Sequence, residues 1–358
     1  MQAARVFITG GAGFIGSHLV QALTGTCDVF VFDNLSPRAH RKNTENLARV
    51  RKSGARVFLG DIRDVAALTD AVALARPDVV VHLAAETGTG ESYDQPSLYC
   101  QVNVDGTAHL IDALRSAGPP KRLLLASTRA VYGEGAYVDD FGCPAMALPR
   151  LRRDLEAGDF QVYDKQRRPL TAVPASSTQA PSPVSVYASS KLMQEHLLTQ
   201  AFWGSETQVC SFRLQNIFGP SQSLINPYTG VLSCFAQRIA AKASLDIYED
   251  GGITRDFLYV TDAAAALACA VHARDLPTVL DIGSGDRSTI LAVAQTMLAK
   301  SGQPMENARI SGRFRPGDIR HAWADISEAQ RVLDWRPQVK LRDGLSRLLG
   351  WSAEMIAA

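Results

Sequence analysis

The sequence predicts an α/β protein, a doubly wound parallel sheet joined to a smaller mixed α/β domain. Three observations carry this reading. Through Ala130 short β-rich runs alternate with helix-like segments, the runs are apolar without an in–out alternation, and a glycine-rich turn follows the first run directly. Strands that read as continuous apolar runs are buried on both faces, which in an alternating order means a parallel sheet covered by helices. Right-handed crossovers then wind the chain both ways from the first strand.

The elements follow in order. Strands are expected at Arg5–Thr9, Asp28–Phe32, Arg56–Leu59, Asp78–His82 and Arg122–Ala126, with helices at Phe14–Leu23, Asn43–Lys52, Val65–Leu74 and Leu98–Ser116. Residues 134–183 break the pattern with many Pro, Arg and Ser, and are expected to be a partly irregular insertion. From Val184 the alternation resumes with a helix to Trp203 and a strand at Gln208–Leu214. The expected division is residues 1–216 for a dinucleotide-binding domain carrying the insertion, and 217–358 for a second domain interleaved with the sheet.

Composition excludes several classes. The 358 residues are 46% hydrophobic and 20% charged, with 37 basic and 36 acidic side chains and a net charge of +1. Such a balance gives no footprint for nucleic acid or an anionic membrane surface. The apolar stretch Ala263–Val271 is too short to span a bilayer. Six cysteines without a CxxC pair point to a reducing compartment and no structural zinc. A cytoplasmic location is expected, because the first strand begins within a few residues of Met1.

The first motif is Gly10-Gly11-Ala12-Gly13-Phe14-Ile15-Gly16, between a strand and a helix. Glycines there permit a tight turn and close approach to a pyrophosphate, and the helix N-terminus offers free N–H groups. This is the Rossmann arrangement. About 20 residues beyond Gly10, Asp33 ends the second strand, where a carboxylate accepts bonds from both adenosine ribose hydroxyls and repels a 2′-phosphate. NAD is therefore expected over NADP, with Arg38, Arg41 and Lys42 as the nearby cations that could reverse the preference.

Tyr187-Ala188-Ser189-Ser190-Lys191 places a phenol and an ammonium on one helix face. A neighbouring cation favours the phenolate, so a phenol of ordinary pKa near 10 can act as a base near neutral pH.

Together with Gly60-Asp61, His82-Leu83-Ala84-Ala85, Asn103-Val104-Asp105-Gly106-Thr107 and Ser127-Thr128-Arg129-Ala130-Val131-Tyr132-Gly133, these motifs resemble the NAD-dependent epimerase/dehydratase family of extended short-chain dehydrogenases, over nearly the whole chain. The resemblance implies that Asp61 and Ile62 flank the adenine, with Asn34 beside the ribose. Leu83, Ala84 and Ala85 would line the cofactor cleft, Asn103 would brace it, and Lys191 would bond the nicotinamide ribose. Thr128 would assist Tyr187. Relatives that dehydrate sugars carry Asp-Glu after that threonine; here Arg129-Ala130 stands instead, which argues against a 4,6-dehydratase. Arg129 itself is assigned no chemistry.

Phe212-Arg213-Leu214-Gln215-Asn216-Ile217-Phe218-Gly219-Pro220 resembles the family's RxxNxxGP segment, which implies a phosphate contact for Asn216. Arg255, Arg315 and Asp318 fall in segments that resemble the nucleotide side, where guanidinium binds diphosphate bidentately. The segments Glu86–Ser92, Asn226–Val231 and Gly317–His321 resemble the branch that epimerises dTDP-L-rhamnose to dTDP-6-deoxy-L-talose. The implied partner is a nucleotide-diphosphate sugar. The insertion, which in some relatives carries paired cysteines, keeps only Cys143, and no metal is expected. Alternatives are a UDP-hexose or UDP-N-acetylhexosamine 4-epimerase, a 4-keto sugar reductase, and a non-catalytic dinucleotide-sensing regulator. Apolar stripes on the helices Leu98–Ser116 and Val186–Phe202, the pair that joins subunits in the family, imply a homodimer.

Overall fold

Apolar runs without alternation become interior strands. The computed structural model describes residues 3–40, 45–223, 230–315 and 317–357. Seven strands form one wholly parallel sheet: β1 (Ala4–Thr9), β2 (Cys27–Asp33), β3 (Arg56–Leu59), β4 (Val79–His82), β5 (Arg122–Thr128), β6 (Gln208–Leu214) and β7 (Val279–Ile282). Their order is β7-β6-β5-β4-β1-β2-β3, with every pairing parallel. The winding reverses at β1, so a crevice opens beyond the carboxyl ends of β1 and β4, where such sheets bind ligands.

Successive strand residues point to opposite faces. Val6 and Ile8 pack with Leu19 and Val20 of α1 (Phe14–Leu23) and with Ala263 and Leu267 further along the chain. Phe7 faces the other way, with Phe30, Leu68, Leu110 and Leu198. The helices on that side are α3 (Val65–Ala75), α4 (Gly106–Ala117) and α5 (Val186–Ala201), whereas α2 (Glu45–Lys52) follows β2. A separate apolar core of Phe218, Phe235, Ile239, Met297 and Leu345 joins α6 (Val231–Ala240), α8 (Ile290–Lys300) and α9 (Leu341–Ala357). Between them α7 (Val260–His272) and β7 return to the large sheet. No helix among the described residues is long and apolar enough to cross a membrane.

One segment differs from the sequence expectation. The single helix expected at Leu98–Ser116 is three pieces: a turn at Pro96–Tyr99, a π-helical stretch at Cys100–Asp105, and α4. The wider π turn re-aims Asn103, and such turns recur at functional sites. The helix start expected at Asn43 lies outside the described residues, which resume at Glu45.

Residues 134–183 are more ordered than their composition suggests. Ala136–Val138 pairs antiparallel with Pro144–Ala145 and with Thr171–Val173, over a small core of Tyr137, Val162 and Leu170. Ser182 N donates to Val131 O at 2.8 Å, closing the excursion where it began. Gly133 sits at this closure with φ +64°, and a Cβ there would strike the Ser182 carbonyl oxygen. Gly133→Ala should therefore lower the unfolding free energy by roughly 1–3 kcal/mol. Urea denaturation of the two proteins measures this, and an unchanged midpoint would show that the closure tolerates a side chain.

Candidate active site

The turn after β1 makes the site's first wall. Gly10 has φ +69°, and a Cβ on it would lie 2.7 Å from the backbone nitrogen of Ala84 beyond β4. Only glycine lets the two strand ends close to this distance. Phe14, Ile15 and Gly16 form the first turn of α1 and line a cleft of about 540 Å³. No side chain caps that helix start, and no acidic residue sits in its first turn. Its N–H groups and dipole thus face the cleft, as a pyrophosphate requires.

Asp33 lies at the end of β2 on the cleft wall and is 5% exposed. Its two carboxylate oxygens each accept a backbone N–H, from Ala12 and from Leu35, both at 2.9 Å. This fixes their direction on the cleft wall. Asn34, Ile62, Leu83, Ala84 and Ala85 line the same cleft with Gly10 and Gly13. The glycine cradle, the free helix start and the buried acid fit NAD. Arg38 is held by Glu86 and Glu91. Arg41 and Lys42 lie outside the described residues. Asp61 departs from expectation: it is ion-paired to Arg63 at 2.8 Å and accepts from Asn34, and Ile62 and Arg63 line the cleft in its place. The hydrogen bond from Arg63 holds its carboxyl well below the usual carboxylate range.

Asn103 is wholly buried. Its Oδ1 accepts from Glu86 N at 2.8 Å, while its Nδ2 donates to Glu86 O and to Ser190 Oγ. It therefore ties the loop after β4 to α5. At the start of α5, Ser185 Oγ accepts from Ala188 N at 3.1 Å, an N-cap that sets Tyr187 in the first turn.

Tyr187, Thr128 and Lys191 converge on the cleft floor. Burial raises the Tyr187 phenol above its ordinary pKa, while the neighbouring Thr128 hydroxyl and Arg129 guanidinium oppose the rise. Lys191 is 3% exposed. Burial pushes its ammonium down to about 7, with Glu195 one turn on acting in the opposite sense. Glu195 is itself paired to Arg213 at 2.8 Å.

The sugar-facing wall comes from the end of β6. Gln215, Asn216, Ser221 and Gln222 line the cleft, and Asn216 presents an Oδ1 with no hydrogen-bond partner among the described residues. Three expected residues stand elsewhere. Arg255 donates to the carbonyls of Thr254, Ile319 and Arg320. Arg315 is exposed and stacks 4.9 Å over Tyr248. Asp318 is half-buried beside Arg255 and Arg129. None of the three lines the cleft. Residues 226–229 of the distinctive loop lie outside the described residues.

Sequence reasoning passed over Arg129, which lines the cleft between Thr128 and Ala130. Burial pulls its guanidinium down to about 9, Arg255 adds to this, and Asp318, Tyr187 and Glu134 oppose it. The signal was a cation where dehydrating relatives carry an acid.

Residues 6–283 match the model of the NAD dependent epimerase/dehydratase family. The chain belongs to that family. It is 37% identical over 354 residues to a dTDP-L-rhamnose 4-epimerase of Burkholderia thailandensis, covering 98% of this chain and 95% of that one. Among solved structures it resembles a UDP-glucose 4-epimerase of Thermus thermophilus in complex with NAD, at 29% identity and TM-score 0.77, covering 97% and 98% of the two chains. It also resembles a UDP-N-acetylglucosamine 4-epimerase of Methanobrevibacter ruminantium, at 27% identity and TM-score 0.81, covering 99% and 100%. The NAD dependence of the family agrees with the cradle and with Asp33.

Lys191 carries a stability consequence. Its folded-state pKa of about 7 lies below its ordinary 10.5, so the folded protein disfavours the ammonium. That cost is full below pH 7 and fades as pH rises towards 10.5. Lys191→Met should raise the melting temperature of the dinucleotide-free protein near pH 6 and change it little near pH 10. An equal shift at both pH values, by scanning calorimetry, would show that the buried charge is not its source.

Proposed function

We propose that this protein is an NAD-dependent nucleotide-sugar 4-epimerase, with dTDP-L-rhamnose, interconverted with dTDP-6-deoxy-L-talose, as its first candidate substrate. One observation carries the reading: Thr128, Tyr187 and Lys191 line the same cleft that the glycine turn and Asp33 open. The substrate named for the Burkholderia relative supports the choice of sugar.

When held by the glycine turn and Asp33, NAD would supply the hydride chemistry at carbon 4, with removal from one face of the sugar and return to the other. The chain's residues do the rest. Tyr187 takes the proton of the 4-hydroxyl, and Thr128 holds both oxygens in line. Lys191, one turn further along α5, holds the ribose side of the dinucleotide and favours the phenolate. Asn216 faces the diphosphate, and the glycine turn and Asp33 hold the dinucleotide in place. The protein thus contributes position and a proton path. Ala130 has no group that could move a proton at carbon 5 or 6, which disfavours dehydration.

Incubation with dTDP-L-rhamnose, UDP-glucose and UDP-glucuronate, with no added dinucleotide, tests the reading by separation of products. Tyr187→Phe should bind substrate yet turn over at least about 100-fold more slowly, and Thr128→Val should cost less. A Tyr187→Phe protein near the wild-type rate would overturn the mechanism.

A homodimer through α4 and α5 completes the proposal. Ile111 and Leu114 are buried against the subunit's own sheet, but Met193 on α5 is half exposed and Leu192 and Leu197 are partly so. Analytical ultracentrifugation at micromolar concentration should give twice the chain mass, and a monomer there would exclude this face.

A further inference from the structure

Most arginines around the cleft have visible duties. Arg213 pairs with Glu195, Arg150 and Arg320 share Glu249, Arg38 pairs with Glu86, and Arg255 caps carbonyls. Arg129 forms no ion pair or hydrogen bond among the described residues, although it lines the cleft beside the Thr128–Tyr187 pair. Facing the same space is Gln215, 95% buried by its 5% exposure, with neither Nε2 nor Oε1 bonded to protein. Its backbone is fixed, since Gln215 N donates to Ile282 O at 2.9 Å. A buried amide with both ends unpaired is costly and rare in a native protein.

The two residues are neighbours by construction. Thr128 and Leu214 are paired across β5 and β6, and Arg129 and Gln215 are the next residue on each strand. Behind them lies a void of only about 10 Å³, lined also by Ile319 and His321. That holds a single water at most. The larger cleft is where a ligand can reach both side chains.

We propose that Arg129 and Gln215 form a sugar-recognition subsite that binds the pyranose hydroxyl next to the reacting one, on carbon 3, with the ring oxygens beyond it. The inference rests on the epimerase reading for the identity of the reacting carbon. The chemistry is complementary. Guanidinium only donates, whereas an amide both donates and accepts, so a hydroxyl can accept from Arg129 and donate to Gln215 Oε1. Arg129 lines the cleft directly beside Thr128 and Tyr187, and carbon 3 is the neighbour of the reacting carbon that carries a hydroxyl. A site built around such bonds discriminates strongly against a sugar that lacks the hydroxyl, because its own buried polar groups are then left unpaired.

The test uses the NAD-loaded protein and calorimetric titration. The probes are whichever of dTDP-L-rhamnose, UDP-glucose and UDP-glucuronate binds most tightly, its 3-deoxy analogue, and the bare nucleoside diphosphate. Wild type should bind the sugar at least roughly 10-fold more tightly than the analogue. Arg129→Met and Gln215→Met should each remove most of that preference, leave affinity for the nucleoside diphosphate unchanged, and retain bound NAD. Variants that weaken all three probes equally, or none, would overturn the subsite, as would a wild type that binds no sugar more tightly than its diphosphate. A wild type that shows the preference but epimerises nothing would defeat the epimerase reading and leave the subsite standing. Active wild type with indifferent variants would do the reverse.

Discussion

The active site depends on one buried polar chain that fastens α5 to the sheet. His82, at the end of β4, bonds Thr9 of β1 at 2.6 Å through Nδ1 and Thr107 of α4 at 3.0 Å through Nε2. Gln194 of α5 reaches both Thr107 and His82. All four side chains are fully buried. Burial, with the nearby Lys191 charge, pushes the His82 pKa down to about 3, so the ring stays neutral and the chain holds across ordinary pH. Hydrogen bonds in such low-dielectric surroundings are strong when satisfied and expensive when broken. Helix α5 carries Tyr187 and Lys191, so its seat on β1 and β4 decides where the phenol and the ammonium stand relative to the cleft.

The same seat explains why the two sides of the cleft differ in character. On the dinucleotide side polar groups are paired in advance: Asp33 is braced by two backbone N–H groups, and Asn103 fixes the loop that begins at Glu86. At the end of β6 they are left open among the described residues, at Gln215 and Asn216. Lys191 is held in surroundings that disfavour its charge. Preorganised but unsatisfied groups reduce stability and gain ligand discrimination, a division found at functional sites generally.

The insertion takes part in this arrangement from behind. Arg150 donates to Glu249 and to the carbonyl of Asp318, and Glu134 accepts from Arg320 N. Arg255 bonds the carbonyls of Ile319 and Arg320. The segment 318–321 is thereby clamped between the insertion and Arg255, and its Arg320 pairs with Glu249 and Asp250. A guanidinium is equally suited to a phosphate and to a row of carbonyls. Which duty it has follows from what the fold places within reach.

What the sequence determined by itself was local and periodic: the apolar runs that became β1 to β6, the glycine turn opening α1, the acid at the end of β2, and the Tyr187–Lys191 spacing. These are legible because strand burial, helix phasing and tight turns are set by neighbours along the chain. The tertiary structure alone decided the rest. It split the expected helix at Leu98 into a π turn that carries Asn103, ordered the insertion around Tyr137, and assigned Arg255 to carbonyls. It also left Arg129 and Gln215 facing the cleft on adjacent strand ends. The physical reason is that a charged or polar side chain acquires its role from the partners it meets across long sequence separations, and those partners are chosen by packing of the sheet and its crossovers.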